Sequence, residues 1–250
     1  MKLGAFSELQ SFIGDNDFLI KGCFVDTSIL FAATYPLDNH NEDAEGVFEV
    51  ISDAGFTAFT NINVKHEFLE FHRRVILADS LCDFYDIFGD MTPPYVQAQL
   101  KSFKTTHRKK IDAEESSRLE LQQQKKFIGL LRSIKIAEKD GWSLLCKTFL
   151  LPQLLPIWKD ASIKLGINEL KVASDDFLET FNIKPDWDDA IKIMGSYAIA
   201  SSDAMIINIF NCSKIPILLT ADSEMARCLL SENVENKIVF VPDSIYKSIK

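Results

Sequence analysis

Four acidic residues stand where a carboxylate could do more than hydrate a surface. Asp26 closes the short apolar run Gly-Cys-Phe-Val-Asp (22–26), and Asp222 closes Ile-Pro-Ile-Leu-Leu-Thr-Ala-Asp (215–222). Asp203 lies inside the apolar stretch 196–210, and its neighbours three and four positions away are Ile199, Ala200, Ile206 and Ile207. On a helix these share its face, so the carboxylate is directed toward the core. A buried carboxylate without a partner costs on the order of several kcal/mol, so Asp203 needs a hydrogen-bond donor, a cation or a metal; a Ser or Lys in the core would also serve. Glu67 sits among Val64, Phe68 and Phe71, the apolar stripe of 60–74, with Glu70 one turn on as a competing candidate. Each acid also has a plainer reading. Asp26, Asp222 and the similarly placed Asp243 suit a helix N-cap, and Glu67 or Glu70 suits a solvated helix surface.

Together the acids imply specific chemistry. Several carboxylates in one cleft raise one another's pKa and stay ionised only with a cation between them. Oxygen-only ligands select Mg2+ or Mn2+ over zinc. Such an ion activates water and neutralises charge on a phosphate, which suits hydrolysis of a phosphodiester.

The elements that would position these acids are legible. Continuous apolar runs at 22–26, 215–222 and 238–243 suit strands buried on both faces, as in a parallel sheet, with weaker candidates at 56–60 and 169–173. Helical patterns cover about 27–34, 42–54, 63–78, 187–211 and 223–231. Alternating strands and helices predict an α/β domain with helices on both faces of the sheet, and ligands of such a sheet bind beyond the carboxyl ends of its strands. From about 80 to 165 no strand is expected. Met91-Thr-Pro-Pro94 breaks the chain, 111–139 reads as one or two amphipathic helices carrying Leu121, Phe127, Ile128, Leu131 and Ile134, and Pro152 and Pro156 bracket a turn. The expected organisation is one domain over 1–250, built from about 1–79 and 166–250, with 80–165 as a helical insertion.

The chain of 250 residues carries 27 Lys+Arg against 36 Asp+Glu, a net charge of −9, which argues against a generic nucleic-acid coat. The charge is uneven: between Lys101 and Asp140 stand 11 basic and 6 acidic residues. In that basic segment Lys101, Lys104, His107, Arg108, Lys109 and Lys110 form the best candidate for holding a phosphate backbone, with Phe103 as a stacking surface for a base. A solvated helix face is the alternative for this cluster. Arg73 and Arg74 are a second basic candidate or simple surface charges. The five cysteines (23, 82, 146, 212, 228) form no C-x-x-C pair and read as reduced thiols. No basic segment followed by an apolar one opens the chain, so no signal peptide is expected, no segment is long and apolar enough to span a bilayer, and the expected compartment is cytoplasmic.

In order along the chain, Phe-Val-Asp26-Thr-Ser, Asn-Val-Lys-His-Glu67-Phe, Ala-Ser-Ser-Asp203-Ala-Met-Ile-Ile and Leu-Leu-Thr220-Ala-Asp222 resemble the four acidic motifs of the PIN-domain nucleases, which include the VapC-like toxin ribonucleases. The resemblance covers about 20–79 and 166–243. It implies a three-layer α/β/α fold with a central parallel sheet and Mg2+- or Mn2+-dependent cleavage of RNA. It assigns Asp26, Glu67 and Asp203 to one divalent ion, Asp222 to a second ion or to the attacking water, and Thr27 and Thr220 to orienting the carboxylates. An antitoxin protein and a homodimer are the partners it suggests. The chain departs from compact members in its length and in the insertion at about 80–165, between the second and third acids.

Other classes compete. No G-x-G-x-x-G or Gly-rich Lys loop marks a nucleotide-binding enzyme, and His-Glu-Phe-Leu-Glu (66–70) fails the zinc-protease pattern H-E-x-x-H. Ser28 stands where a haloacid-dehalogenase-like phosphatase would carry its second acid. The alternatives kept open are a non-catalytic module of the same fold that binds RNA or protein, and a DNA nuclease of that fold, for which Glu224 supplies an extra acid near the fourth motif.

Overall fold

The computed structural model of the chain describes residues 1–171 and 177–250. It divides into two compact units, one formed by Met1–Phe68 and Ala161–Lys250, the other by Leu69–Asp160. Strands among the described residues are β1 (Lys2–Ala5), β2 (Gly22–Val25), β3 (Thr57–Thr60), β4 (Lys135–Ile136), β5 (Lys139–Asp140), β6 (Ile167–Glu169), β7 (Ile217–Leu219) and β8 (Ile238–Val241).

The first unit is α/β. Six strands form one sheet in the order β1-β8-β7-β2-β3-β6, and every pairing in it is parallel. Its central strands are buried along their whole length, which explains their unbroken apolar runs: Gly22–Val25, Ile217–Leu219 and Ile238–Val241 have no solvent face that would call for polar residues. Helices Asn41–Asp53, Ser201–Cys212 and Ser223–Glu232 contribute the rest of the core, through Val47 and Ile51, Ile206 and Phe210, and Met225 and Leu229. Phe24 of β2 meets Phe210 with ring centroids 6.2 Å apart.

Sequence and structure differ here in three places. The strand β1 carries no apolar run; it is set by its register on β8, and Gly4 has no side chain because a Cβ would collide with the ring of Phe240. The candidate strand 169–173 lies instead at Ile167–Glu169, and 172 and 173 fall outside the described residues. The helix expected over 187–211 is two helices, Trp187–Tyr197 and Ser201–Cys212, at 119° to each other. Ala198 takes a left-handed conformation (φ 56°) at the break, a state alanine disfavours, so nothing in its residue type announces it.

Lys237, just before β8, is buried and donates to the carbonyls of Phe210 (2.6 Å), Ser213 (2.9 Å) and Ile215 (2.9 Å), with its ammonium 4.1 Å from the Phe210 ring centroid. It ties the end of helix Ser201–Cys212 to the sheet. Burial pulls its pKa down to about 7. Because the folded value is depressed for a base, the group's contribution to stability is fullest above the unfolded value near 10.4 and declines as pH falls toward 7. Lys237→Met should destabilise the protein by about 2–4 kcal/mol, since three buried carbonyls lose a donor; a chemical-denaturation midpoint equal to wild type would contradict this.

The second unit is helical. The helix Ile62–Phe88 crosses the division between the units, and Pro94–Asp112 and Leu121–Arg132 follow. Leu77, Leu81, Phe84, Leu100, Phe127 and Leu131 form its core. Of the apolar set read for 111–139, Phe127, Leu131 and Ile134 are buried but Leu121 is exposed. After the break at the proline pair the chain enters the long helix Pro94–Asp112, because Pro94 is acceptable in a first helical turn, where no N–H is needed. The segment also holds the antiparallel pair β4–β5, although no strand was expected; its turn residues Ala137 and Glu138 both have positive φ without the Asn-Gly signal that marks such turns. Pro152 and Pro156 do not bracket a turn. Both lie in the helix Leu151–Lys164, where Leu154 and Ile157 pack on the core of this unit. No single helix among the described residues is long and apolar enough to cross a membrane.

Candidate functional site

The sheet order places the acids. The chain leaves β2 toward β3 on one side and leaves β7 toward β8 on the other, so strand order reverses between β2 and β7. In an open parallel sheet the crevice beyond that point is where ligands bind. Asp26 follows β2, while Thr220 and Asp222 follow β7, and the Asp26 N–H donates to the Leu219 carbonyl (3.0 Å).

Asp26 is buried and held on several sides. Its Oδ2 accepts from Ser28 Oγ (2.7 Å), Thr220 Oγ1 (2.9 Å) and the Ser28 N–H (3.3 Å). Ser28 Oγ in turn accepts from the Ala221 N–H (2.8 Å), and Thr220 Oγ1 from the Asp222 N–H (2.9 Å). The two strand ends are therefore tied through hydroxyls. Thr27 turns away from Asp26 and donates to Glu67 Oε2 (2.8 Å). Asp222 caps helix Ser223–Glu232 with one oxygen, Oδ1, which accepts from the Glu224 N–H (2.7 Å) and the Met225 N–H (3.0 Å). Capping engages only this oxygen, so the cap reading and a ligand role are compatible in Asp222.

Glu67 occupies the second turn of the helix after β3, whose start is fixed by Asn61 Oδ1 accepting from the Asn63 and Val64 N–H groups (2.9 and 3.0 Å). Glu70, the competitor, is instead engaged by Arg73 through both guanidinium contacts (2.7 and 2.5 Å). Arg74 donates to the Leu119 carbonyl (2.9 Å). Asp203 does not lie in the middle of an apolar helix. It sits half-buried in the first turn of Ser201–Cys212, because the chain breaks at Ala198, and a carboxylate there is favoured by the positive end of the helix dipole.

The electrostatics bring the four acids together. Burial, and then the charges of Glu67, Asp26, Asp222 and Glu224, push the Asp203 carboxyl up to about 7. Burial also raises Asp26 to about 6; the Ser28 and Thr220 hydrogen bonds work against this and the charge of Glu67 adds to it. Among the described residues, no basic group is a main cause of either shift. At the end of β3, Thr60 Oγ1 and Asn61 Nδ2 are buried without a hydrogen-bond partner among the described residues. Among the described residues, no three His, Cys, Asp or Glu side chains stand close enough to form a ready ligand set for a metal ion. The donor chemistry nevertheless fits a hard divalent cation: the groups whose charges act on Asp203 are all carboxylates, and each raises its pKa.

Sequence reading missed one role in this network. Ser28 donates to Asp26, a role assigned by position to Thr27, and its signal was the Asp-x-Ser spacing of a side chain that bonds two residues along. Glu224 acts on Asp203 from the turn after Asp222.

The basic cluster divides. Lys101, Lys109 and Lys110 are exposed, but Lys104 is buried and ion-paired with Asp86, which also stands 3.9 Å from Arg108. Phe103 is no free stacking surface: it contacts Phe127 edge-on at 5.0 Å and stacks on His107 at 5.7 Å. His107 is itself buried between Ser117 and Asp79. Lys104 and Phe103 are thereby removed from the surface proposed for a phosphate backbone, because helix Pro94–Asp112 turns them toward its neighbours in the unit. All five cysteines are free thiols. Comparison with protein-family models, curated proteins and solved structures returned no match, so the fold and the acids stand on the residues themselves.

Proposed function

We propose that the chain is a divalent-metal-dependent nuclease of PIN-like fold that hydrolyses phosphodiester bonds of RNA. The observation that supports this reading is that Asp26 and Asp222 follow the two strands at the strand-order reversal and that the charges of Glu67, Asp26 and Asp222 all act on Asp203. Asp26, Glu67 and Asp203 are the residues that would hold Mg2+ or Mn2+, with Asp222 beside them. A bound ion of this kind supplies an activated water and neutralises charge on the scissile phosphate.

The chain's own residues orient the carboxylates. Ser28 and Thr220 hold one oxygen of Asp26, and Thr27 holds one oxygen of Glu67, so each carboxylate is aimed by a neighbour that is not itself a ligand. The toxin branch of the resemblance would add a protein inhibitor that covers these acids. The test is cleavage of labelled single-stranded RNA in Mn2+, Mg2+ or EDTA. Cutting in either metal and none in EDTA supports the reading; no cutting together with no Mn2+ binding by calorimetry overturns it in favour of a non-catalytic module.

Glu224 favours a second reading, a DNA nuclease, because it adds a fifth acid to the field at Asp203. Single-stranded and branched DNA in the same assay separate the two.

Substrate affinity in this reading rests on Lys101 and Lys109 rather than on Lys104. Lys104→Ala should leave RNA affinity and its salt dependence unchanged while lowering stability by about 1 kcal/mol, a modest figure because Asp86 is solvated on one side. Lys101→Ala with Lys109→Ala should weaken RNA binding and flatten its salt dependence by roughly one released counterion per lysine. Gel-shift titrations at two salt concentrations read both.

A further inference from the structure

Asn61 is buried, 1% exposed, at the step from β3 into the helix Ile62–Phe88, and only half of its carboxamide is used. Its Oδ1 starts the helix by accepting from the Asn63 and Val64 N–H groups. Its Nδ2 has no hydrogen-bond partner among the described residues. Capping explains the oxygen and would be served as well by Ser or Asp, which lack the amide nitrogen. Buried polar groups in native proteins are nearly always hydrogen-bonded, so an unmatched donor points to a bound acceptor.

Strand register shows where this donor stands. β2 and β3 run parallel, with Gly22 beside Thr57, Cys23 beside Ala58 and Phe24 beside Phe59. Two steps on along both chains, Asn61 stands beside Asp26. On the other flank Val25 pairs with Leu219, so Thr220 stands beside Asp26 one step on. The hydrogen bond from Thr220 Oγ1 to Asp26 Oδ2 (2.9 Å) bears out that continuation. Residues at one level of a sheet send their side chains to the same face, so Thr220, Asp26 and Asn61 form one row, and Thr60 faces the other way. The helix that Asn61 starts brings Glu67 to Thr27 (2.8 Å), next to Asp26, which locates the same neighbourhood from a second direction.

We propose that Asn61 is a further catalytic residue, its Nδ2 donating to a nonbridging oxygen of the scissile phosphate, a role that rests on the nuclease reading. The substrate phosphate is an anion entering a site where the charges of Glu67, Asp26, Asp222 and Glu224 all act on Asp203. A neutral amide can hold a phosphate oxygen there without pairing off the carboxylates, as a lysine would. In hydrolysis the water oxygen bonds to phosphorus and the bond from phosphorus to one ester oxygen breaks. One water proton ends on the leaving oxygen, and the other stays on the new phosphate group or passes to solvent. Negative charge is spread over the equatorial oxygens in the transition state, and a donor held in place beforehand stabilises it. Asn61 is held in place because its other atom accepts from two N–H groups of the helix.

The test compares Asn61→Ser and Asn61→Asp with wild type in steady-state cleavage of labelled single-stranded RNA in Mn2+. Both variants keep a capping oxygen and lose the donor. A fall in kcat of about 100- to 1,000-fold is expected in each. In Asn61→Ser, KM should stay within about threefold, with Mn2+ binding by calorimetry and the Tm in EDTA close to wild type. A substrate with sulfur for one nonbridging oxygen of the scissile phosphate reads the contact itself. Sulfur is a weak acceptor, so wild type should cut one of the two diastereomers more slowly, and that penalty should shrink in Asn61→Ser. Wild-type kcat in a folded Asn61→Ser protein would overturn the assignment and leave the nuclease reading standing. A fall in kcat with both sulfur penalties unchanged would make Asn61 structural only, and would overturn it too. No cleavage and no Mn2+ binding by wild type would remove the nuclease reading and this role with it.

Discussion

Asp26→Asn is expected to lower metal-dependent RNA cleavage by at least about 1,000-fold with the fold intact, because it removes a charge and almost nothing else. The amide keeps an oxygen that can accept from Ser28 Oγ and Thr220 Oγ1, so the tie between the ends of β2 and β7 survives. What disappears is the negative charge at the point where strand order reverses. That charge is costly in the protein alone, since burial has already raised the carboxyl to about 6, so the variant should melt no lower than wild type in EDTA. Measuring kcat/KM in Mn2+ beside the metal-free melting curve separates a chemical from a structural loss. Wild-type cleavage by a folded Asp26→Asn protein would remove the acids from the reaction.

Asp203→Asn carries the second large effect, and it is opposite in sign for stability and for activity. The Asp203 carboxyl is raised to about 7 by burial and by four neighbouring acids. A carboxyl with a raised folded value stabilises the fold while protonated: its contribution is complete below the unfolded value near 3.9 and is lost as pH rises through about 7. In metal-free buffer at pH 8 the wild type therefore bears this repulsion in full. Asparagine removes it, and Asp203→Asn should gain about 1–2 kcal/mol there, discounted because the group is only half-buried, or roughly 2–6 °C in Tm. The gain should vanish near pH 4, where both proteins are neutral at this position. Millimolar Mn2+ should raise the Tm of wild type but not of the variant, by the linkage between binding and folding. A variant that melts below wild type at pH 8 in EDTA would show that the carboxylate is held by a donor rather than strained by its neighbours.

Stability given up for function is a common feature of active sites, and the proposed reading is consistent with where the strained charges lie. Asp26 and Asp203 are the strained acids, whereas Glu70 is matched by Arg73 and Lys104 by Asp86. Glu70–Arg73 and Lys104–Asp86 are pairs of opposite charge, whereas Asp26 and Asp203 have their pKa raised by burial and by other acids.

The sequence by itself determined the α/β character of the first unit and three of its central strands, and it singled out the four acids as candidates. Strands buried on both faces must be apolar throughout, and the residues that end them stand out for that reason. It did not determine β1, the break at Ala198 or the turn at Ala137 and Glu138. A strand of four residues is held by its register on β8, and residues that adopt left-handed backbone against their preference leave no mark in their type. Tertiary structure alone decided which hydroxyl serves which carboxylate, sending Ser28 to Asp26 and Thr27 to Glu67 across 40 positions of chain. It also decided which of the basic residues face water. Helical periodicity places Lys104 and Lys101 in one polar run, but only packing within the helical unit turns the first toward Asp86 and leaves the second exposed. Local chemistry is written in residue types; the pairing of side chains far apart in the chain depends on where the backbone brings them.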